Sequence, residues 1–220
     1  MLIEQLISPI VPTLDLTDTG SKALGLMEEN NLEQLPLIQD QKYMALVQEN
    51  DLLDWEKPEA QLGAADFLHY HPAVFANGHP YDALRIAYNQ NLSVVPVIDN
   101  DNTYLGSITR NDLLTYIAEK SGLDNPGGII VLEIEPRNYS LYEIARICEG
   151  EDTIIISTQL FTNKVTGKLE LTIKTNRTDV QGLAQAFERY NYKVKDIYGQ
   201  QVDNEDILDR YKLLMNYINM

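Results

Sequence analysis

The sequence predicts an α+β chain: two β-α-β-β-α repeats, a β-α-β-β-α-β unit after them, and a C-terminal helix. Three observations carry this. The first 120 or so residues align with themselves at a nearly constant shift, with one gap. Both copies alternate helical and strand periodicity in the same order. A break rich in Gly and Pro then precedes a segment of different period and composition.

The repeat comes first, because its period fixes the units. A shift of 60 pairs Pro12 with Pro72, Ala23-Leu24 with Ala83-Leu84, Asn31-Leu32 with Asn91-Leu92, Pro36 with Pro96, and Ile38 with Ile98. One extra residue in the turn after Asp99 makes the shift 61. Tyr43 then pairs with Tyr104, and Asn50-Asp51-Leu52-Leu53 with Asn111-Asp112-Leu113-Leu114. The first repeat is assigned to residues 1–61 and the second to 62–121. One such unit has too little core to stand alone, so the two are expected to pack together.

Each repeat starts with a short extended segment carrying its Pro, Val11-Pro12-Thr13 or His71-Pro72-Ala73-Val74. A helix follows, opening near Thr17-Asp18 in the first copy and with Pro80 as first helical residue in the second. Ala23, Leu24 and Met27, and likewise Ala83, Leu84 and Ala87, are its buried stripe. A strand over Gln34–Gln39 or Val94–Asp99 leads through a polar turn to a second strand. The last helix starts at Glu49 or Arg110.

Residues 122–128, with Pro126-Gly127-Gly128, read as a linker. In residues 129–200, Ile129–Ile134 reads as a buried strand, and Leu141–Cys148 has helical period. Thr153–Thr162 and Lys168–Thr175 read as a hairpin, Val180–Tyr190 as a helix, and Tyr192–Tyr198 as the last strand. That order is the ferredoxin-like split βαβ pattern. Residues 201–220 form an amphipathic helix in this reading, with Ile207, Leu208, Tyr211, Leu214 and Ile218 on one face.

Composition excludes several roles. The formal charge is −16, and residues 1–125 hold 6 Lys/Arg against 19 Asp/Glu. Such a field repels nucleic acid and anionic membranes, so neither is an expected partner. No run of 18 apolar residues offers a membrane span, and the N-terminus lacks the charged and apolar pattern of a signal peptide. Cys148 is the only cysteine; it falls in an apolar-periodic helix, and a reducing cytoplasm is expected. His69, His71 and His79 are the only histidines. The His69-x-His71 spacing would suit two ligands on one strand face, but it falls in the entry loop of the second repeat and no third ligand accompanies it, so no metal is expected. No nucleophile elbow, phosphate loop or Cys–His pair is present, and the chain is not expected to be an enzyme. Trp55, in the segment between the repeats, is expected to anchor that segment.

The stretch with chemical content is Gly106-Ser107-Ile108-Thr109-Arg110-Asn111-Asp112. It places the Thr109 hydroxyl and the Asp112 carboxylate three residues apart at a helix start. Two readings stand. The pair caps the helix, or the helix N-terminus takes a phosphate while the carboxylate accepts ribose hydroxyls.

Leu35-Pro36-Leu37-Ile38 and Val95-Pro96-Val97-Ile98, each followed by Asn-Asp-Leu-Leu, resemble a tandem pair of cystathionine β-synthase (CBS) domains. In that family two units form a disc that usually dimerises, and the cleft between them binds adenosyl ligands. The family's Gly-x-Ile-Thr-x-x-Asp pattern is intact in the second repeat at Gly106, Ile108, Thr109 and Asp112. The resemblance implies Asp112 as ribose acceptor, Thr109 as a phosphate or ribose contact, and Arg110 as phosphate cation. Val74, Val94, Val95 and Pro96 would lie against the base. AMP, ADP, ATP and S-adenosylmethionine are the implied ligands, and the acidity of the domain argues for AMP or S-adenosylmethionine. In the first repeat Ala45 and Gln48 replace Gly and Thr, so Asp51 and Gln48 mark a second, degenerate site.

Residues 129–200 resemble an ACT domain in element order, although Glu135–Ser140 lacks the glycine of that family's ligand loop. The whole arrangement resembles the bacterial acetoin-utilisation accessory proteins. It implies a cytoplasmic, homodimeric, non-catalytic regulator of an unidentified protein. The rival expectation is a dimeric scaffold that binds no small ligand.

Overall fold

The computed structural model describes residues 2–199. The helix expected over 201–220 lies outside the described residues. Two compact units are formed, within Met1–Ile117 and within Ala118–Met220.

The first unit holds α1 (Gly20–Asn30), β1 (Gln34–Gln39), β2 (Lys42–Gln48) and α2 (Glu49–Asp54), then β3 (Val74–Phe75), α3 (Pro80–Gln90), β4 (Val94–Ile98), β5 (Tyr104–Thr109) and all but the last turn of α4 (Arg110–Lys120). The repeat is visible in the hydrogen-bond register. In the antiparallel β1–β2 pair, Leu35 faces Val47 and Leu37 faces Ala45, with a bulge between Leu37 and Ile38. In β4–β5, Val95 faces Ile108 and Val97 faces Gly106, with the bulge between Val97 and Ile98. The first strands therefore correspond at +60 (35 to 95) and the second at +61 (47 to 108), which places the insertion in the turn. Asp40 and Gln41 make a two-residue turn with φ of 49° and 66°, the geometry that suits a tight hairpin. The longer second turn winds around Asp99, whose Oδ1 accepts from the Asp101 and Thr103 amides at 2.9 and 2.8 Å.

Helix α1 starts later than Thr17-Asp18. Asp15 takes the Thr17 amide and hydroxyl at 2.9 and 2.7 Å, folding a separate turn ahead of the helix. Thr19 then caps α1 by accepting the Lys22 amide. The extended lead-in also differs between copies. In the second it is a strand parallel to β4, whereas in the first it is a single bridge between Leu14 and Leu37.

The repeats exchange their first residues. Ile3 and Glu4 donate their amides to Gly78 and Ala76, in the second repeat. Leu62 and Gly63 donate theirs to Asp18 and Leu16, in the first. Ile3 and Leu62 are each fully buried. Leu6 and Ile7 pack on the core built from Val74, Ala83, Val95, Val97 and Ile108. Phe67 and Leu68 pack on the core built from Ala23, Met27, Leu35 and Leu37. Trp55 meets Phe67 edge-on, 5.5 Å between ring centroids. At the two turns the exchange is again reciprocal: the Tyr43 amide donates to Asn102 O and the Tyr104 amide to Gln41 O.

The second unit is a four-stranded antiparallel sheet in the order β7-β8-β6-β9, with β6 (Ile129–Ile134), β7 (Ile155–Thr162), β8 (Leu169–Thr175) and β9 (Lys193–Tyr198). Helices α5 (Leu141–Gly150) and α6 (Gln181–Arg189) pack on it through Ile144, Ile147, Cys148, Leu183 and Phe187, against Ile130, Leu132, Leu171 and Ile173. Cys148 is a core residue. Strand boundaries move by one or two residues where local bonds intervene. The Thr153 amide, for instance, closes the end of α5 on Cys148 O, so β7 begins at Ile155.

Candidate functional site

Strand β5 runs directly into α4, so Thr109 is the last strand residue and Arg110 the first helical one. The Thr109 amide and hydroxyl both donate to Asp112 Oδ2, at 2.8 and 2.6 Å. The Asp112 amide returns a bond to Thr109 Oγ1 at 3.1 Å. This is a closed reciprocal box, and it satisfies one orphan donor of the helix. Both incoming bonds land on the same carboxylate oxygen.

The first repeat lacks this closure. Gln48 precedes α2 without a side-chain cap bond. Its Nε2 instead donates to Asp51 Oδ2 at 3.4 Å. An amide on a longer side chain thus stands where a hydroxyl makes two short bonds in the copy.

Gly106 and Ala45 occupy matching register positions but differ in backbone. Gly106 has φ 145°, a region costly for a residue with a Cβ. A Cβ there would also stand 2.3 Å from Ile7 Cγ2. The glycine of the motif makes room for the N-terminal segment, which bridges to the next residue through the Ser8 amide and Ser107 O at 2.8 Å.

Of the four apolar residues expected against a base, two share a face with Thr109. Val94 is the cross-strand partner of Thr109, and Pro96 that of Ser107. Val74 and Val95 belong instead to the second repeat's core. Alternation along the strand puts Val95 and Val97 inward and leaves Val94 and Pro96 facing the other way.

Arg110 is turned towards the end of α3. Its Nε donates to Leu92 O at 3.2 Å, and Nη2 reaches Asn91 O and Oδ1 at 3.4 Å. The guanidinium caps carbonyls at a helix C-terminus, where a cation is favoured.

Two residues to which the sequence reading gave no site role stand beside this stretch. Gln34 opens β1, and Ser93 precedes β4. Ser93 donates its amide and its hydroxyl to Gln34 Oε1 at 2.7 and 2.6 Å. The Ser93 hydroxyl oxygen accepts the Glu33 amide at 3.0 Å. Ser93 O accepts the Arg110 amide, and Glu33 O the Glu49 amide, each at 2.9 Å. One buried polar knot therefore holds the N-termini of α2 and α4. The signal lay in the alignment: Gln34 matches Val94, a polar residue opening a strand whose copy opens with an apolar one.

His79 caps α3, its Nδ1 accepting the Tyr81 amide at 3.1 Å. Among the described residues no group of three or more His, Cys, Asp or Glu gathers around a point that would hold a metal. None of their helices is long and apolar enough to cross a membrane.

Comparison with known proteins bears on the second repeat. Residues 66–119 match the family profile of the CBS domain. The first repeat shares the strand register and the bulge of that matched segment. The chain is also similar to solved structures, each over about half its length. One is a CBS domain pair/ACT domain protein from Thermotoga maritima, with 17% identity, 54% of this chain and 98% of that one covered, and a TM-score of 0.47. Another is a putative acetoin utilization protein from Vibrio cholerae, with 20% identity, coverage of 56% and 95%, and a TM-score of 0.48. A third is CBSX2 in complex with AMP, a protein of Arabidopsis thaliana, with 21% identity, coverage of 54% and 96%, and a TM-score of 0.46. Likenesses this distant assign neither ligand nor pathway to this chain.

Proposed function

We propose that the CBS-type pair senses an adenosyl ligand, an AMP-like nucleotide or S-adenosylmethionine, at the start of α4, and that the chain regulates a partner protein without catalysing a reaction. The observation that carries this reading is the Thr109–Asp112 box. It is intact in the segment that matches the CBS profile and broken at Gln48–Asp51. Asp112 directs both capping bonds to Oδ2, so ribose hydroxyls meet its other oxygen. Thr109, Val94 and Pro96 share the face on which the ligand lies. ADP and ATP carry more charge into a strongly acidic domain and bind more weakly.

CBS pairs commonly serve as regulatory modules, and an ACT-like reading of the second unit fits the acetoin-utilisation accessory type. The proposed setting is the cytoplasm. The proposed assembly is a homodimer, supported by an apolar groove of about 450 Å³ between α3 and α4, lined by Leu84, Ala87, Tyr88, Leu113, Leu114 and Ile117. Leu114 and Tyr88 are 68% and 87% exposed there.

Isothermal calorimetry of the full chain with AMP, ADP, ATP and S-adenosylmethionine tests the ligand. Saturable one-site binding of AMP or S-adenosylmethionine, lost in Asp112→Asn, is expected. Absence of binding by all four favours the second reading, a ligand-free dimeric scaffold. The observation behind that second reading is that Val94 and Pro96, beside Thr109 on that face, are buried.

A further inference from the structure

We infer that two copies of this chain meet second repeat to second repeat, each covering the other's α3–α4 face about a two-fold axis. The inference rests on the homodimer proposed above, and it names the face and the orientation of that dimer.

The α3–α4 face is open where its counterpart in the first repeat is closed. Tyr81, Leu84 and Tyr88 follow at intervals of three and four along α3, so they share one side of it. Tyr81 and Tyr88 are exposed, as is Leu114 on α4. The first repeat has Ser21 in place of Tyr81. The Ser21 amide donates to Pro58 O at 2.8 Å and its hydroxyl to Glu59 Oε1 at 2.6 Å. Helix α2 is six residues long and ends at Asp54, which frees the residues after it to fold back over the start of α1. Residues 116–120, the match of 55–59, are instead the last residues of the eleven-residue α4. They stay in their helix, and the side of α3 that holds Tyr81 is left without such a cover.

Charge decides what covers it. Each chain carries −16, so two chains repel unless they meet through a face without carboxylates. Among the described residues lining the groove between α3 and α4, none is acidic. The one cation there, Arg110, is turned onto the Leu92 and Asn91 carbonyls. A cationic partner, which the rest of this acidic chain would attract, finds no carboxylate in this groove. The first repeat carries Glu28 for Tyr88, Glu49 for Arg110 and Glu56 for Ile117. An α3–α4 face laid on the partner's first repeat would press apolar side chains against three carboxylates and strip their water. Laid on the partner's second repeat, the same face meets a groove without them. It is also self-complementary, as a two-fold contact requires: Tyr88 and Leu114 project beside the groove that their own helices form. Helix α4 then holds the Thr109–Asp112 box at its start and the pairing residues Leu114 and Ile117 one turn on.

Sedimentation of the full chain tests the face and the orientation together. Wild type is expected as a dimer. Leu114→Glu and Leu114→Lys each put like charges on both sides of the axis. Either should raise the dissociation constant at least about a hundredfold, since every dimer carries the change twice. An equimolar mixture of the two variants should recover the dimer, because Glu of one chain then faces Lys of the other. Leu53→Glu, at the matching exposed position of the first repeat, should change the constant by less than about threefold. Leu114 is exposed in the single chain, so its variants fold, and circular dichroism matching wild type checks this. A dimer that survives Leu114→Glu, a mixture that stays monomeric, or dissociation by Leu53→Glu would each overturn the orientation. A monomeric wild type is a different result, and it removes the homodimer itself.

Discussion

Replacing Gly106 by Ala tests the packing of the N-terminal segment on the second repeat. Two penalties add. A side chain at φ 145° is strained by about 1–3 kcal/mol. The new methyl, 2.3 Å from Ile7 Cγ2, forces the segment outward, an overpacking cost of about 1–3 kcal/mol. Together they predict about 4 kcal/mol of lost stability. The second penalty depends on Ile7 and the first does not. Ile7→Ala alone removes a half-buried side chain and should cost about 1–2 kcal/mol. In the double variant the clash is gone, so its cost should fall below the sum of the singles by about 1–3 kcal/mol. Urea unfolding followed by fluorescence is the assay, because the one tryptophan, Trp55, lies in this unit and packs on its first-repeat core. Ala45→Gly, at the matching position where φ is not positive, should cost only about 1 kcal/mol. Additive costs for Gly106→Ala and Ile7→Ala would refute the account of this glycine as a seat for the N-terminal segment.

Four further outcomes are expected. In thermal melts with AMP or S-adenosylmethionine at a hundred times its dissociation constant, wild type should gain about 2.7 kcal/mol; Asp112→Asn should lose that gain and Asp51→Asn keep it. Ile3→Ala and Leu62→Ala, which empty the exchanged seats, should each cost about 2–5 kcal/mol in urea unfolding, and equal stability to wild type would count against the exchange. Burial pushes the Cys148 thiol up to about 11 from the usual 9.0. The stability this contributes is complete below pH 9 and lost as pH rises towards 11, so the thiol should stay inert to a maleimide at pH 7.5 until the second unit unfolds. Glu133 is held below the usual carboxylate range by hydrogen bonds from Lys193 and Lys168; its contribution is present above pH 4.5 and lost on acidification, and Glu133→Gln should flatten the acid limb of a stability-versus-pH curve.

Much of the fold was legible because hydrophobic period and turn chemistry agree. The span Gln34–Gln39 and the helix start at Arg110 follow from them, as does the gap after Asp99, which the register now places in the longer turn. The misplaced start of α1 has a local cause. Thr17-Asp18 has the residue types of a helix cap, but Asp15 captures Thr17 first. The exchange of segments was not legible, since Ile3 to Ile7 and Leu62 to Leu68 share apolar character and almost no identities. Burial needs only the former. Within the candidate site, the spacing of Thr109 and Asp112 announced the helix cap that forms, whereas their ligand role came only from the family resemblance. The inward turn of Val74 and Val95 depends on which strand face looks at the other repeat, and no single-strand pattern carries that.

The backbone of the pair is close to two-fold, and its chemistry is not. Four departures from symmetry fall at the starts of the strands and helices around the box. Gln48 stands for Thr109, Ala45 for Gly106, Gln34 for Val94 and Glu33 for Ser93. Two symmetric copies of Ser93 and Gln34 would place two carboxamides and two hydroxyls at one buried junction, and each would need its own partner. A single Ser93 meeting a single Gln34 satisfies the junction with three short bonds instead. That solution ties both helix starts together, since Ser93 O accepts the Arg110 amide and Glu33 O the Glu49 amide. Restoring the box by Gln48→Thr alone should therefore rebuild the cap of α2 without creating a second binding site, because Gln34, the cross-strand partner of residue 48, stands where Val94 faces Thr109 in the second repeat. A calorimetric stoichiometry that rises from one to two in Gln48→Thr would show that the box suffices whichever residue stands across from it.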